Sequence, residues 1–331
     1  MATIKDVARR ANVSVSTVSR VLSGKAFVDD ATKTRVMEAI QALNYQPNPL
    51  ARALRERKTN IIALMVPGIE NQIWPLVARG VENVARKNNY TVLLCNTDDD
   101  VETEKRYLVR LRRQWVDGII VAPARDDSPH LRELHDSGFP VAQVIRGFEN
   151  DGMDNVMIDN FRVAYDAASY LIKTGHRRIA IASGRQDLHI YRRRLEGYKQ
   201  ALADHGLEAD PMLILQEIKE LNNLYRLTQQ RLRSGVQIDG LLATSDPKAI
   251  IVMRAIRDIG LRIPQDVSVI SIDNIEQSNY FEPQLTTMSI PFIQIGELAA
   301  KKLIFHIHDP EHFEAVTDYL DTELIIRKST R

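Results

Sequence analysis

Residues 3–22 read TIKDVARRANVSVSTVSRVL, and their spacing predicts two short helices joined by a tight turn. In the first helix, over residues 4–11, apolar side chains recur at the i, i+3, i+4, i+7 spacing of one helix face. Residues 12–14 break this pattern, and Ser14 is a favourable N-cap for a second helix over residues 15–22. Each helix is too short to be stable in isolation. The stretch therefore predicts a helix-turn-helix unit within a small helical domain.

A third helix completes the predicted head. Asp30 is expected to cap a helix over residues 31–43, whose Val36, Ile40 and Leu43 would close a three-helix core. The second helix then turns outward a face of small, mostly hydroxyl-bearing side chains, which can enter the major groove of DNA and bond phosphates or base edges. A generic three-helix bundle is the alternative. The residues predicted to contact DNA are Ser14, Val15, Ser16, Thr17, Ser19 and Arg20.

The charge distribution is compatible with a DNA contact at this end. Residues 1–60 carry eleven Lys and Arg against five Asp and Glu, a net charge of +6, whereas the whole chain has +1. A basic end on a mildly acidic body is typical of proteins that bind nucleic acid, although a merely solvated basic surface gives the same count. The charge alone therefore leaves both interpretations open.

Residues 47–59 connect the head to the rest of the chain. Two prolines end the third helix, and the following stretch LARALR, residues 50–55, has helical propensity but spans only about two turns. Such a marginal helix can fold on DNA, with its leucine wedged between base steps of the minor groove and its arginines on phosphates. A plain interdomain linker is the alternative. The candidate DNA contacts here are Ala51, Arg52, Leu54 and Arg55.

From residue 60 onward, short apolar runs alternate with amphipathic helical stretches. Apolar strands separated by helices imply parallel sheets covered on both faces, and eight strands are too many for one small sheet. The sequence therefore predicts an α/β body of two lobes. The predicted strands cover residues 61–66, 91–95, 118–122, 140–145, 156–158, 178–183, 240–244 and 267–272. The predicted helices cover residues 74–88, 102–113, 162–174, 191–205, 221–234 and 247–260.

Taken together, these motifs resemble the LacI/GalR family of bacterial transcriptional regulators, which includes lactose, galactose and purine repressors. The resemblance rests on TIKDVA at 3–8, TVSRVL at 17–22, YQPNPLARAL at 45–54, GHRRIA at 175–180 and PQDVSVI at 264–270. It implies an α-helical helix-turn-helix head at 1–46, a hinge helix within 47–59, and an effector-binding and dimerisation domain at 60–331. That domain is expected to be similar to periplasmic sugar-binding proteins, with two parallel α/β sheets.

The same resemblance implies how the parts are used. The N-lobe is expected at about 60–146 and 291–310 and the C-lobe at about 156–274 and 311–331, with chain crossings near 146–158 and 274–290. Residues 15–20 are expected to read the major groove, and Leu54 to act as the intercalating lever. The protein is expected to be a homodimer on a near-palindromic operator. One departure is the second proline, Pro49, near the start of the hinge helix.

Effector-binding residues are expected at the carboxyl ends of the strands, where open α/β sheets bind their ligands. Ser245 and Asp273 each follow a predicted strand, and Trp74 can stack on the apolar face of a sugar. The resemblance places Trp74, Arg194 and Asp273 at effector-contacting positions, and Ile73 is a further candidate contact.

Several cationic side chains in loops near the expected cleft predict an anionic effector. Arginine can hold a carboxylate or phosphate through two parallel hydrogen bonds. We therefore expect a uronate, another sugar acid or a sugar phosphate, acting as inducer. Ordinary surface charges beside a neutral-sugar pocket are the alternative. The cations concerned are Arg125, Arg146, His189, Arg192 and Lys219.

The sequence argues against an enzyme or a membrane protein. It contains no Gly-x-Gly-x-x-Gly after a strand, no Walker loop, no Gly-x-Ser-x-Gly and no metal-spaced histidines, so neither a cofactor nor a metal is expected. No apolar run approaches the ~18 residues that span a bilayer, which predicts a cytoplasmic, nucleoid-associated protein. The single cysteine, Cys95, is expected to be buried and inert. A phosphocarrier protein as corepressor remains an alternative partner.

Overall fold

The computed structural model describes residues 2–24, 27–46, 58–113, 116–147, 152–216 and 221–331. They belong to two compact units, Met1–Thr59 and Asn60–Arg331. Throughout these ranges, every helix is too short or too polar to cross a lipid bilayer.

The first unit is a small domain of three helices around one apolar core. Because the helices are only two to four turns long, they are stabilised by packing against one another. The helices are α1 at Ile4–Ala11, α2 at Val15–Ser23 and α3 at Asp30–Ala42. The core residues are Val7, Ala8, Ala11, Val18, Val36 and Ala39, with Ile4, Val21, Leu22, Ile40 and Leu43 packed around them.

Side-chain caps define where these helices begin. Ser14 caps α2, as predicted, because its hydroxyl accepts a hydrogen bond from the Thr17 N–H at 3.1 Å. The cap of α3 is Asp29 rather than the predicted Asp30, because the Asp29 carboxylate accepts the Thr32 N–H at 2.9 Å. The helix therefore begins one residue earlier than expected.

The second unit alternates strands with helices along the chain. Its strands are β1 Ile61–Val66, β2 Thr91–Asn96, β3 Gly118–Val121, β4 Val141–Val144, β5 Asp154–Met157, β6 Ile179–Ser183, β7 Ile214–Gln216, β8 Gly240–Ala243, β9 Ser268–Asp273, β10 Thr286–Ser289, β11 Thr317–Tyr319 and β12 Glu323–Ile325. Its helices are α4 Ile73–Lys87, α5 Val101–Arg113, α6 Pro129–Asp136, α7 Asn160–Lys173, α8 His189–Asp204, α9 Leu221–Arg233, α10 Asp246–Asp258 and α11 Phe292–His308.

These strands form two six-stranded sheets. The first has the order β11-β5-β4-β3-β1-β2 with every neighbouring pair parallel. The second has the order β12-β10-β9-β8-β6-β7 and is parallel except for β12, which pairs with β10 in the antiparallel direction. The predicted fold class, a helical head followed by two α/β sheets, is confirmed.

Helices cover both faces of each sheet, which explains why the central strands are apolar throughout. In β1, for example, Ile62 and Leu64 pack into the core shared with α4 and α11, whereas Ala63 and Met65 pack into the core shared with α5 and α6. In the second sheet, α7 and α8 cover one face and α9 and α10 the other. We call the first sheet with α4, α5, α6 and α11 the first lobe, and the second sheet with α7–α10 the second lobe.

One helix pair in each lobe crosses so closely that glycine is required. A Cβ on Gly296 of α11 would lie 2.2 Å from the carbonyl oxygen of Val77 in α4. A Cβ on Gly197 of α8 would lie 2.1 Å from the carbonyl oxygen of Phe161 in α7. Only a residue without a side chain allows two helix backbones to approach this closely.

The predicted lobe boundaries need correction. Residues 311–331 were assigned to the C-lobe, yet β11 lies in the first sheet, where it pairs with β5, and β5 itself, within the crossing predicted near 146–158, pairs with β4 of that sheet. The chain crosses between the lobes after β5, β10 and β11, so the passage that the predicted segments placed at about residue 310 lies instead between Tyr319 and Glu323. This last crossing leads from β11 to β12, because these short strands extend different sheets.

Candidate functional site

The outward face of α2 carries the residues predicted to read DNA. Ser14 lies at the N-cap, where its Oγ is 2.7 Å from Ser16 Oγ and 2.8 Å from Thr17 Oγ1, so its hydroxyl already has partners within the turn. Its role in the fold is therefore to shape the start of α2. The other predicted residues of this face are exposed or half-buried: Val15, Ser16, Thr17, Ser19 and Arg20.

Five predicted site residues lie outside the described residues, so their roles stay predictions. They are the hinge candidates Ala51, Arg52, Leu54 and Arg55, and the effector candidate Lys219.

A cavity of about 420 Å³ lies between the two lobes at the carboxyl ends of their strands. Its size suits a small ligand. The first lobe contributes the loop after β1, the start of α4 and the loops after β2 and β4, through Pro67, Gly68, Glu70, Asn71, Trp74, Asp99 and Arg146. The second lobe contributes the loop before α8, its first turn and the start of α10, through Arg185, Leu188, Tyr191, Ser245, Pro247 and Lys248.

On the first-lobe side, an arginine is held between a carboxylate and an aromatic ring. Arg146 Nη1 forms an ion pair with the Asp99 carboxylate, and its guanidinium carbon lies 6.0 Å from the centre of the Trp74 ring. The Arg146 side chain is only 10% exposed, and no acceptor in the described residues bonds its Nε. A buried donor without an acceptor is costly, so this arginine favours a ligand or water that supplies one.

On the second-lobe side, a nearly buried ammonium lies against a tyrosine. Lys248 is 5% exposed, and its Nζ lies 4.7 Å from the centre of the Tyr191 ring and donates to the Tyr191 hydroxyl at 3.3 Å. The Ser245 hydroxyl lies 3.5 Å from the same Nζ. Arg185, at the edge of the cavity, pairs with Asp187 at 2.9 Å. The second-lobe side therefore contributes Lys248 and an Arg185–Asp187 pair, whereas the first-lobe side contributes Arg146 together with Asp99 and Glu70.

Beneath the cavity, Asp246 holds together the ends of several strands. Its carboxylate accepts hydrogen bonds from the Ser271 and Ser278 hydroxyls, from the Ile275 N–H at 2.8 Å and from the Thr287 hydroxyl at 3.0 Å. Burial raises the pKa of Asp246, and these hydrogen bonds oppose that shift because they stabilise the charged form.

Asp273 and Arg194 lie beside this carboxylate and are also buried. Asp273 accepts one hydrogen bond, from the Asp246 N–H at 3.3 Å, and burial together with the Asp246 charge raises its pKa to about 8. Arg194 opposes this shift through its positive charge. Its Nε donates to the Asn160 amide oxygen at 2.9 Å and its Nη1 to the Thr244 carbonyl. The raised pKa favours the protonated form of Asp273, in which the carboxyl group can donate a hydrogen bond as well as accept one.

The structure brings only some of the predicted effector residues to the cavity. Trp74, Arg146 and Ser245 line it, Ile73 is buried next to Trp74, and Arg194 and Asp273 lie beneath without lining it. The other cations are elsewhere: Arg125 is exposed in the loop after β3, Arg192 pairs with Asp126, and His189 lines a separate cavity of about 370 Å³. These three roles as effector contacts stay untested predictions.

Lys248, Arg185, Tyr191 and Asp99 line the cavity but were not predicted. Lys248 follows the end of β8 by five residues, so its position near a strand end was a usable signal. Tyr191 lies in the first turn of α8, and only the packing of that turn against α10 places it at the cavity. Among the described residues, no group of three or more His, Cys, Asp or Glu side chains could hold a metal ion.

A helix-turn-helix domain followed by a two-lobed sensor with a central cavity defines a ligand-responsive DNA-binding regulator. Two family models match accordingly: "Bacterial regulatory proteins, lacI family" over residues 3–48, and "Periplasmic binding proteins and sugar binding domain of LacI family" over residues 59–325. The chain belongs to the LacI family of bacterial regulatory proteins.

Similar proteins agree with this assignment over the full chain. The HTH-type transcriptional regulator RegA of Clostridium saccharobutylicum is 34% identical over 99% of this chain and 98% of its own length. The HTH-type transcriptional repressor PurR of Aliivibrio fischeri strain MJ11 is 35% identical, again over 99% of this chain and 98% of PurR. A solved complex of the regulator CelR with cellobiose matches with a TM-score of 0.74 at 30% identity, covering 99% of this chain and 100% of CelR.

These findings make the chain a LacI-family transcriptional repressor that responds to a sugar or another small-molecule effector. The relatives described above are regulators of transcription rather than enzymes.

Proposed function

We propose that this repressor binds an anionic sugar, namely a uronate, another sugar acid or a sugar phosphate, in the cavity between its lobes. The observation that carries the proposal is a pair of nearly buried cations, Arg146 and Lys248, that line one cavity from opposite lobes. Arg146 is already paired with Asp99 and Lys248 lies against Tyr191, and an anionic group on the ligand would add a charge-assisted partner between these two cations.

The aromatic residues support a sugar as the carrier of that anion. Trp74 and Tyr191 line the same cavity, and an aromatic face packs well on the C–H side of a sugar ring. Glu70, Asn71 and Ser245 supply polar atoms for hydroxyl groups. A ligand that contacts Trp74 and Lys248 together would join the two lobes.

We further propose that the ligand acts as an inducer on a homodimer bound to a near-palindromic operator. The outward face of α2 enters the major groove, and the segment at 47–59 supplies minor-groove contacts. A ligand that favours one angle between the lobes would bias the spacing of the two heads and lower the affinity for DNA. Coupling of this kind is typically about 1–3 kcal/mol, or roughly 5–150-fold in affinity.

Titration calorimetry on the full-length protein with matched ligand pairs tests the effector class. We expect glucuronate to bind more tightly than glucose, and galacturonate or glucose 6-phosphate more tightly than their neutral counterparts. One charge-assisted hydrogen bond is worth about 1.5–3 kcal/mol, which is roughly a 10–150-fold difference in Kd. Equal or tighter binding of the neutral sugars would contradict the proposal and favour a neutral effector, such as the cellobiose bound by CelR.

A substitution separates binding of the anion from binding of the sugar. Lys248→Gln should reduce the affinity for the acid at least tenfold while leaving any affinity for the neutral sugar nearly unchanged. Lys199→Gln, on the exposed face of α8, is the matched control for loss of one positive charge. A ligand that binds should also weaken operator binding in a fluorescence anisotropy assay, using an operator selected from genomic fragments. Strengthened DNA binding would instead identify a corepressor.

A further inference from the structure

The first turn of α8 lacks a cap from its own neighbourhood. Leu188 occupies the N-cap position, and no side-chain hydrogen bond caps the helix there. The free N–H groups at a helix N-terminus need acceptors, and these usually come from a residue adjacent in sequence. Here the acceptor comes from the other lobe: Asp126 Oδ1 accepts the His189 N–H at 2.9 Å.

The second oxygen of the same carboxylate is also engaged across the cleft. Asp126 Oδ2 forms an ion pair with Arg192 Nη2 at 2.6 Å, while Arg192 Nη1 donates to the Gln186 carbonyl at 2.8 Å. Asp126 and Arg192 are 21% and 41% exposed, so the contact is accessible to water yet held by two hydrogen bonds. A negative charge at this end of α8 is also favoured by the helix dipole.

The loop that carries Asp126 is firmly attached to the first lobe. Glu104 of α5 is fully buried, and its Oε2 accepts the Ala124 N–H at 2.8 Å. Its Oε1 lies 2.5 Å from His130 Nε2. The loop between β3 and α6 is thus fixed at both ends by one carboxylate, and Asp126 is presented to the second lobe from a rigid base.

We propose that Asp126 is a positioning residue of the effector site, which caps α8 across the cleft and thereby couples closure of the lobes to the order of the cavity wall. The turn that it caps carries Tyr191 and directly follows Leu188, both of which line the 420 Å³ cavity. When the lobes separate, the first turn of α8 loses its cap and frays. When they close, the turn and the cavity wall form together. This role does not depend on which ligand the cavity accepts.

Hydrogen exchange on the full-length protein without ligand tests the cap. Asp126→Ala should speed exchange of the His189 amide about five- to thirty-fold, since loss of a helix cap is a local change of that size. Asp126→Asn keeps an oxygen that accepts the N–H and should restore part of the protection. Asp127→Asn removes the neighbouring exposed carboxylate and should leave exchange at the wild-type rate.

A distance measurement between the lobes tests the coupling. Spin labels on Arg132→Cys in α6 and Lys199→Cys in α8 report the interlobe distance, because both positions are exposed and Cys95 is buried. Asp126→Ala and Arg192→Gln should each shift the distance distribution to longer values, and combining them should add little. The proposal would be overturned if the exchange rate of the His189 amide were unchanged in Asp126→Ala, or if the exchange rates of all sensor amides rose equally. An unchanged distance distribution in Asp126→Ala would overturn it as well.

Discussion

Replacing Asp273 by asparagine should change how the stability of the protein depends on pH. The carboxyl group is buried, accepts a single hydrogen bond and lies next to the charge of Asp246, which together raise its pKa to about 8. The difference from the ordinary value of 3.8 corresponds to about 5–6 kcal/mol at roughly 1.4 kcal/mol per pH unit, as an upper limit. Asparagine has the shape of the protonated acid and keeps an oxygen for the Asp246 N–H.

The direction of the effect follows from which state binds more protons. Between about pH 4 and pH 8 the folded protein keeps the Asp273 proton, whereas the unfolded chain has released it. The contribution of this group to the free energy of unfolding is therefore largest below about pH 4. It decreases as the pH rises and reaches its lowest, constant value above about pH 8. Asp273→Asn has no proton to lose, so it should gain several kcal/mol relative to the wild type between pH 5 and pH 8.5.

Urea denaturation of the full-length protein at pH 5, 6, 7 and 8.5, followed by tryptophan fluorescence, measures this difference. Asp266→Asn is the matched control, because the Arg262 side chain lowers the pKa of this half-buried carboxyl to about 2. The Asp266 carboxylate loses its contribution to stability only as the pH falls below about 4. The stability difference between Asp266→Asn and the wild type should therefore stay constant across the tested range. Parallel stability curves for the wild type and Asp273→Asn would refute the assignment of the buried proton.

Three further predictions concern packing, capping and reactivity. Gly296→Ala and Gly197→Ala should each destabilise the sensor by about 1–3 kcal/mol and lower Tm in calorimetry, since the new Cβ meets a backbone carbonyl at 2.2 Å or 2.1 Å; an unchanged Tm would contradict this. Ser14→Ala should destabilise the head by about 1 kcal/mol in thermal unfolding followed by circular dichroism, and Ser14→Gly by less. Burial raises the pKa of the Cys95 thiol to about 11, so Ellman's reagent should label it only on unfolding; rapid labelling of the folded protein would argue against its burial.

The longer strands were predictable because each consists of a nearly continuous apolar run between loops. The missed strands lacked such a run: β7, β11 and β12 have three residues each, and β10 reads TTMS. The buried hydroxyls of β10 are tolerated because they have partners, as when Thr287 donates to Asp246. By contrast, α11 was missed although its signal was present, since Phe292, Ile295, Ala299 and Leu303 recur on one helix face.

The candidate site was only partly predictable, for a different reason. Trp74 and Ser245 follow from the rule that ligands bind at the carboxyl ends of strands. This rule does not say which cationic side chains line the cavity, because the charge of a loop residue does not reveal which carboxylate or ring the side chain contacts. Arg192, for example, is bonded to Asp126 of the other lobe, a partner that its neighbours in the sequence do not reveal. Lys248 is held at the cavity by its hydrogen bond to Tyr191, and these two residues are 57 positions apart in the sequence.

The connectivity of β1 indicates what must carry a signal from the cavity toward the head. The segment that leads from the head enters β1 at Ile61, whereas the cavity lies beyond its other end, at Pro67 and Gly68. Six residues of strand span about 20 Å, and β1 is buried between β3 and the edge strand β2. A strand held in this way cannot stretch or slip without breaking its ladder, so ligand contacts at one end leave the other end unchanged within the lobe. We therefore expect the signal to leave the cavity as a change in the angle between the lobes, so substitutions in the three crossing segments or at the Asp126 contact should alter the response to ligand without altering the ligand-binding residues.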